Sequence, residues 1–402
     1  MARVRRLPLD NLAILQSGGP TSVLNASLVG IIREGRNRFG RILGVRSGFE
    51  GLLDDRHFDL TTLSDDQLDR LERTPSAGLG TSRLRPSDDD LVTIAENLRA
   101  LGCTGLIGIG GNDTAESLDR LARLASETGQ KLQVIGLPKT IDNDLAVTDH
   151  SLGYASAARY IAAYVRDAQP DTVGMANLYP VKFVEVMGRN AGWLAAASSL
   201  WTPGWLPAPI IALPERPFAS EDTFLDVIQQ RVDEMGGAVI VVPETMRWAD
   251  GVHVSGSTPE WTDEFGHEYY ASAGQTLATV CAQKLGLKAK LDRPGSVSRS
   301  SIDYVSTVDF LEASEAGRFA VRAIQEGRSG SCVVIERDSS SPYRSTMNLA
   351  PLSAIANVEA RLPDHMIDPS GFAVTPSFVD YAAPLVGEST ATYELLRWDQ
   401  EA

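Results

Sequence analysis

Seven consecutive residues, Pro138-Lys139-Thr140-Ile141-Asp142-Asn143-Asp144, place one ammonium, one hydroxyl and two carboxylates directly after the apolar run Leu132–Leu137. Moving a phosphoryl group from a polyphosphate to an alcohol needs a base for the hydroxyl proton, an acidic group for a metal and a cation for the developing charge. Asp142 or Asp144 supplies the base or the metal ligand, and Lys139 the cation. A solvated acidic turn with a capping aspartate explains the two carboxylates. It does not explain a lysine and a threonine held between Pro138 and the acids. Two more segments, Ser17-Gly18-Gly19-Pro20-Thr21 and Gly110-Gly111-Asn112-Asp113-Thr114, also follow expected strands. Ligands of open α/β sheets bind outside the carboxyl ends of the strands. Glycines admit the backbone to phosphate oxygens, and the helix that follows offers oriented N–H groups. One double glycine alone is as well explained by a tight turn; three such loops at one sheet edge are not.

The elements that must carry these loops alternate. Leu12–Gln16 reads as a strand, then a helix runs to about Phe39, and Ile42–Val45 is a second strand. A helix from about Asp88 to Leu101 precedes strand Gly105–Ile109, helix Thr114–Thr128 and strand Leu132–Leu137. The second half repeats the style, with helix Ser156–Ala168 followed by strands Thr172–Ala176 and Phe183–Val186. Helix Ala191–Leu200, strand Ile210–Leu213, helix Glu221–Met235 and strand Ala238–Val242 follow. This βαβα rhythm predicts parallel sheets covered by helices on both faces. Arg247–Tyr270 breaks the rhythm and reads as an insertion or long loop. The Ser- and Pro-rich stretch from Ser339 onward is weakly periodic. Two α/β domains account for the 402 residues.

Composition narrows the partners. The formal charge is −15, with 37 basic against 52 acidic side chains, a balance that disfavours nucleic acid and anionic membranes. Such a field also repels phosphorylated substrates, so any phosphate site must be a local cluster of Lys and Arg. The three cysteines, Cys103, Cys281 and Cys332, have no paired spacing and predict no disulfide framework. The basic start, Arg3–Arg6, is followed by no apolar signal segment, and no run is long enough to span a bilayer; a cytoplasmic location is expected. His57, His150, His253, His267 and His365 show no metal-ligand spacing. Trp193, Trp201 and Trp205 are read as core or interface residues, and Ser87–Asp90 as a helix N-terminus.

The run Pro138–Asp144 resembles the PKTIDND signature of pyrophosphate-dependent phosphofructokinases, where ATP users generally carry a Gly-Ser or similar pair instead of Lys139-Thr140. Val184-Glu185-Val186-Met187-Gly188-Arg189-Asn190-Ala191-Gly192-Trp193 is similar to the family's VEVMGRxAGW stretch. Ser17–Pro20, Gly80-Thr81-Ser82-Arg83 and Gly110–Thr114 resemble its phosphate loops, all in family order from Leu12 to Arg299. The resemblance implies two Rossmann-like three-layer α/β/α domains with the active site in the cleft between them. Residues 1–150, with about 300–345, would bind the phosphoryl donor. Residues 151–299, with about 346–402 and the insertion near 247–270, would bind the sugar phosphate.

Residue roles follow from the same resemblance. Asp142 is the expected base for the 1-hydroxyl of fructose 6-phosphate; Asp144 supports it and, with Asn112, holds Mg²⁺. Thr140 binds the transferring group. Gly19, Arg83, Gly111, Asp113, Thr114 and Lys139 face the donor. Met187, Gly188, Arg189, Glu244, Arg293 and Arg299 face the acceptor, Arg189 also stabilising developing charge. Asp113 fills the space that a glycine leaves for the α-phosphate of ATP, and Lys139 meets pyrophosphate oxygens, so both favour pyrophosphate. The sequence departs from the pattern at Asn112 (commonly Asp), at Pro180 (an interface Arg in many relatives, whose charge Lys182 would replace) and at Ser296 (usually His). ATP as donor, sedoheptulose 7-phosphate as acceptor and a catalytically weak regulatory subunit are the competing expectations. A homodimer or homotetramer is implied.

Overall fold

The computed structural model describes residues 10–202, 204, 206–262, 268–389 and 391. Arg3–Arg6, Trp205, His267 and the end of the chain lie outside the described residues. In chain order the elements are β1 (Asn11–Gln16), α1 (Leu24–Gly35), β2 (Ile42–Val45), α2 (Gly48–Leu53), β3 (His57–Asp59), α3 (Asp65–Glu72), α4 (Asp88–Ala100), β4 (Cys103–Gly110), α5 (Asn112–Glu127) and β5 (Gln133–Pro138). Then come α6 (Tyr154–Gly174), β6 (Val181–Val186), α7 (Trp193–Ala197), β7 (Ile210–Ile211), α8 (Glu221–Met235), β8 (Ala238–Pro243), β9 (Trp261–Thr262), β10 (Glu268–Tyr269), α9 (Ala273–Leu285) and β11 (Ala289–Asp292). The chain ends with α10 (Thr307–Gln325), β12 (Ser331–Ser340), β13 (Tyr343–Pro351) and α11 (Pro376–Val386).

These elements form two compact units. The first comprises the chain up to Ala157 together with Arg299–Ala360. Its seven-stranded sheet runs β13-β12-β5-β4-β1-β2-β3, parallel from β12 to β2 and edged by antiparallel β13 and β3. A parallel sheet is covered on both faces, so its strands read as nearly unbroken apolar runs. Alternate side chains part accordingly. Leu12, Ile14, Ile107, Ile109, Ile135 and Val333 meet α1 and α10 on one face. Ala13, Leu15, Leu43, Leu106, Val134 and Val334 meet α2, α4 and α5 on the other. Helices α1 and α10 pack backbone to backbone: a Cβ at Gly30 would lie 2.1 Å from the Ser314 carbonyl oxygen, and one at Gly317 2.2 Å from that of Ser27. The Ser87–Asp90 run opens α4 with reciprocal Ser87–Asp90 capping bonds.

The second unit comprises Ala158–Thr262, Glu268–Ser298 and the chain from Arg361. Its four parallel strands run β11-β6-β8-β7, and β9 and β10 pair as a short antiparallel ribbon inside the irregular 247–270 stretch. All three cysteines are free and buried. Among the described residues no helix is long and apolar enough to cross a membrane.

Three expectations are corrected. Thr172–Ala176 is no strand but the end of α6 and the turn after it: the Thr172 hydroxyl donates to the Ala168 carbonyl at 2.8 Å, and the Met175 N–H to the Asp171 carbonyl at 3.0 Å. The β-branched pair Thr172-Val173 thus yields to the continuing helix. The helix expected over Ala191–Leu200 is only Trp193–Ala197, because the Ser198 and Ser199 hydroxyls take the carbonyls of Ala195 and Ala196. The Ser-rich stretch from Ser339 is not irregular at its start. It completes β12 and returns as β13, whose residues alternate between half-buried and exposed as far as Leu349.

Candidate active site

The first unit assembles its loops from the sheet edge outward. Gln16, the last residue of β1, is polar yet fully buried. Its amide donates to Asn25 Oδ1 (3.1 Å) and accepts from the Leu79 N–H (2.9 Å), while Asn25 accepts from the Gly78 N–H and donates to the Thr74 carbonyl. This polar pair fixes the approach to Gly80–Arg83. Thr81 Oγ1 then donates to the Gly18 carbonyl at 2.6 Å, and the Gly18 N–H to Ser82 at 3.2 Å, locking the two phosphate-type loops together. Gly18 has φ +76°, and a Cβ there would sit 3.0 Å from Lys139 Nζ. A Cβ at Gly19 would meet Arg299 Nη1 at 2.9 Å. Two cations from distant segments therefore converge on the glycine loop.

The 138–144 loop lies against the second glycine pair, with the Lys139 N–H donating to the Gly110 carbonyl at 3.0 Å. Lys139 is 4% exposed. Burial, and then the neighbouring Arg299, push its ammonium down to about 8, against the pull of Asp142 and Asp144; Arg83 adds to the repulsion. The Asp142 N–H donates to Thr140 Oγ1 at 3.1 Å. Asn143 adopts the left-handed conformation (φ +56°), its side-chain oxygen accepting from the Ser151 N–H.

Asp144 is a strongly perturbed acid. Burial, and then Asp142, raise its carboxyl to about 7, Glu359 adding to the effect. Its Oδ1 is buried without a hydrogen-bond partner. The return segment 358–360 touches both expected metal ligands: Asn112 Nδ2 donates to the Val358 carbonyl at 3.4 Å, and the Ala360 N–H to the Asp144 carbonyl at 2.7 Å. Glu359 escaped the sequence reading, since nothing local marks a carboxylate that reaches the loop from more than 200 positions away. The Asp144 carboxyl, with its orphaned oxygen, and the Asn112 amide are hard oxygen donors that suit a divalent cation. Among the described residues no three His, Cys, Asp or Glu side chains are grouped to hold one by themselves. Water or phosphate oxygens would complete such a coordination shell. Asp113 stands in the first turn of α5 beside Arg85, and the Thr114 side chain packs onto Gly110.

In the second unit, β6 leads into Met187, Gly188 (φ +124°) and Arg189 (φ +43°). The Arg189 carbonyl accepts from Thr245 Oγ1, and its guanidinium donates to Tyr269 Oη at 3.5 Å. Glu244 follows β8; its N–H donates to the Val186 carbonyl and its carbonyl accepts from His253 Nε2. The irregular 247–270 stretch thus backs Arg189 through Tyr269 and Glu244 through His253, on which Tyr270 stacks at 4.3 Å. Arg293 is paired with the buried Glu185 at 2.9 Å. Lys182 is held by Asp171 and Asp292; the charge expected to stand in for an arginine at Pro180 is therefore engaged within its own unit.

The expected residues accordingly fall into two groups. Gly19, Arg83, Gly111, Asn112, Asp113, Thr114, Lys139, Thr140, Asp142, Asp144 and Arg299 belong to the first unit, and Met187, Gly188, Arg189, Glu244 and Arg293 to the second. Arg299, expected to face the acceptor, lies beside Lys139 at the first glycine loop.

Parallel sheets, glycine loops at strand ends and a buried lysine beside paired carboxylates define a phosphate-handling α/β protein. The phosphofructokinase family pattern matches residues 11–324, and the chain belongs to that family. It is 38% identical over 391 residues to the pyrophosphate–fructose 6-phosphate 1-phosphotransferase of Xanthomonas campestris pv. campestris (strain B100), covering 95% of this chain and 93% of that protein. A sulfofructose kinase of Alkalicoccus urumqiensis is 32% identical over 358 residues, 89% of this chain and 92% of its own. Among solved structures, the pyrophosphate-dependent phosphofructokinase of Nitrosospira multiformis superposes with a TM-score of 0.86 at 31% identity, covering 96% of this chain and 94% of that one.

Proposed function

We propose that this enzyme transfers a phosphoryl group from pyrophosphate to the 1-hydroxyl of fructose 6-phosphate, giving fructose 1,6-bisphosphate and phosphate. The observation that carries the reading is the Lys139–Asp144 loop, whose buried ammonium shares the Gly18-Gly19 turn with Arg299 and stands beside Asp142 and Asp144. Asp142 takes the proton of the 1-hydroxyl as that oxygen bonds to the terminal phosphorus; the bridging P–O bond breaks and phosphate leaves. Lys139, Arg83 and the backbone at Gly19 bind the donor, and Thr140 the group in transit. Asp113 and Lys139 exclude the bulk of a nucleotide and favour pyrophosphate. Asn112 and Asp144 would hold the divalent cation, read as Mg²⁺, which neutralises phosphate charge when bound. Because the donor and acceptor bonds are similar in energy, flux runs either way.

The first unit then takes the donor, and Met187, Gly188, Arg189, Glu244 and Arg293 of the second unit take the sugar phosphate. Arg299 has a second reading as a donor-side cation, favoured by its place against Gly19. The acceptor also has one. With Arg293 and Lys182 engaged by carboxylates, less positive charge is left for the far end of the sugar, which favours testing a sulfonated fructose, less charged there than a phosphate, beside sedoheptulose 7-phosphate. A homodimer or homotetramer in the cytoplasm completes the proposal.

A donor comparison tests it. Purified protein, Mg²⁺ and fructose 6-phosphate are supplied with pyrophosphate or ATP, and fructose 1,6-bisphosphate is followed. Turnover with pyrophosphate alone is expected. Turnover with ATP alone would overturn the donor reading and leave Asp142 in place, and silence with both would overturn the acceptor.

A further inference from the structure

The 139–143 loop is tied at two points to the segment that follows it. The Thr140 N–H donates to the Leu152 carbonyl at 3.2 Å, and Asn143 Oδ1 accepts from the Ser151 N–H at 2.9 Å. Between the two lies Val147, a β-branched residue at φ +68° and 59% exposed. Such a conformation costs about 1–3 kcal/mol and persists only where its surroundings enforce it.

Just after it, the segment is held by a buried ionic bridge. His150 is 1% exposed, with Nδ1 2.9 Å from Asp149 Oδ2 and Nε2 2.7 Å from Glu312 Oε2 on α10. Glu312 Oε1 accepts from Tyr343 Oη (2.7 Å) and Ser345 Oγ (2.6 Å) on β13, and Asp149 accepts from Arg337 Nη2 on β12 (2.9 Å). One turn before Glu312, the buried Asp309 accepts from the N–H groups of Gly153 and Ser156. Burial alone would depress the imidazole, yet the bonds to Asp149 and Glu312 prevail and hold it at about 9, so at neutral pH it donates from both nitrogens. A buried charged bridge is weak as a source of stability, since apolar side chains of the same volume often serve equally well. What it provides is geometric definition: α10, β12 and β13 together dictate where residues 148–153 lie, and these dictate the backbone of residues 140–143.

We propose that His150 and Glu312 are positioning residues of the phosphoryl transfer, aiming the Asp142 carboxylate through the Asp149–His150–Glu312 bridge. This rests on Asp142 being the base. Glu312→Gln preserves shape while removing the charge that His150 meets. A misaimed catalytic group can lose on the order of 100-fold in rate, so kcat per folded molecule is expected to fall by about 10–100-fold with less than about threefold change in the KM for pyrophosphate.

A double-mutant cycle separates aiming from support of the fold. In an Asp142→Asn background, Glu312→Gln should cause no further loss. Equal losses in both backgrounds, or an unchanged kcat per folded molecule, would overturn the proposal. The base reading is judged on its own by Asp142→Asn: near-normal turnover there removes that reading and the aiming role with it. Should Glu312→Gln fail to fold, Tyr343→Phe, which deletes one hydrogen bond to Glu312, carries the same cycle with an expected loss of about two- to fivefold, and additivity there is equally fatal.

Discussion

Replacing Asp144 by Asn should stabilise the protein while impairing it. The folded state holds this carboxyl at about 7 instead of its ordinary 3.8. At about 1.4 kcal/mol per tenfold change in acidity, ionising it in the fold costs on the order of 4 kcal/mol. Asp142 shares in that repulsion, so the part recovered by the amide is about 2–4 kcal/mol. The sign follows from proton binding. Between about pH 4 and 7 the folded chain keeps a proton that the unfolded chain has released, so stability falls as pH rises through this window and stays low above it. Asp144→Asn removes the penalty, and for a unit of this size the melting temperature at pH 8 in chelator should rise on the order of 10 °C. The advantage should shrink as pH falls below 7 and vanish near pH 4. Thermal melts of both proteins from pH 4 to 8 measure this directly. A variant no more stable than the parent at pH 8, or an advantage independent of pH, would refute the argument that buried charge sets the cost. Adding Mg²⁺ at pH 8 should raise the melting temperature of the parent but not of the variant.

Other outcomes follow from the same geometry. Asp142→Asn should lower kcat by about 10²–10⁴-fold with little change in KM, measured by steady-state kinetics with pyrophosphate. Lys139 sits at about 8, below its ordinary 10.5, so the ammonium is present below pH 8 and lost above it. The kcat/KM for pyrophosphate should fall as pH climbs through about 8, and this limb should be absent from the residual activity of Lys139→Met. Gly153→Ala would drive a methyl to 2.5 Å from Thr21 Cγ2 at φ +107°; overpacking of this kind costs about 1–3 kcal/mol, to be read by urea denaturation.

How far the chain could be read ahead of its fold depended on sequence distance. The Pro138–Asp144 loop was legible because its chemistry lies in seven adjacent residues behind an apolar strand. Strands β1, β2, β4, β5 and β8 were legible because burial on both faces leaves an uninterrupted apolar run. Glu359 and the His150–Glu312 bridge were not, since each pairs side chains more than 150 positions apart and neither partner is unusual in its own neighbourhood. His150 alone reads as one more core histidine. The place of Arg299 against Gly19 was not legible either, because a motif carries identity without the direction in which a long side chain reaches. Thr172-Val173 failed differently: local β preference pointed one way and the helix already under way decided the other.

The pairing of α1 with α10 sets a timetable. Helix α1 is made well before the helix that covers part of its apolar face, which begins only at Thr307. At about 5–20 residues per second, the roughly 270 residues separating them take about 15–50 s to synthesise. Throughout that interval Leu28, Ile31 and Ile32 lack the cover of α10, and the edge of β5 has no β12 to pair with. A helix made early in the first unit is therefore finished late, and a nascent chain halted before Thr307 would present to chaperones a surface that the complete unit buries.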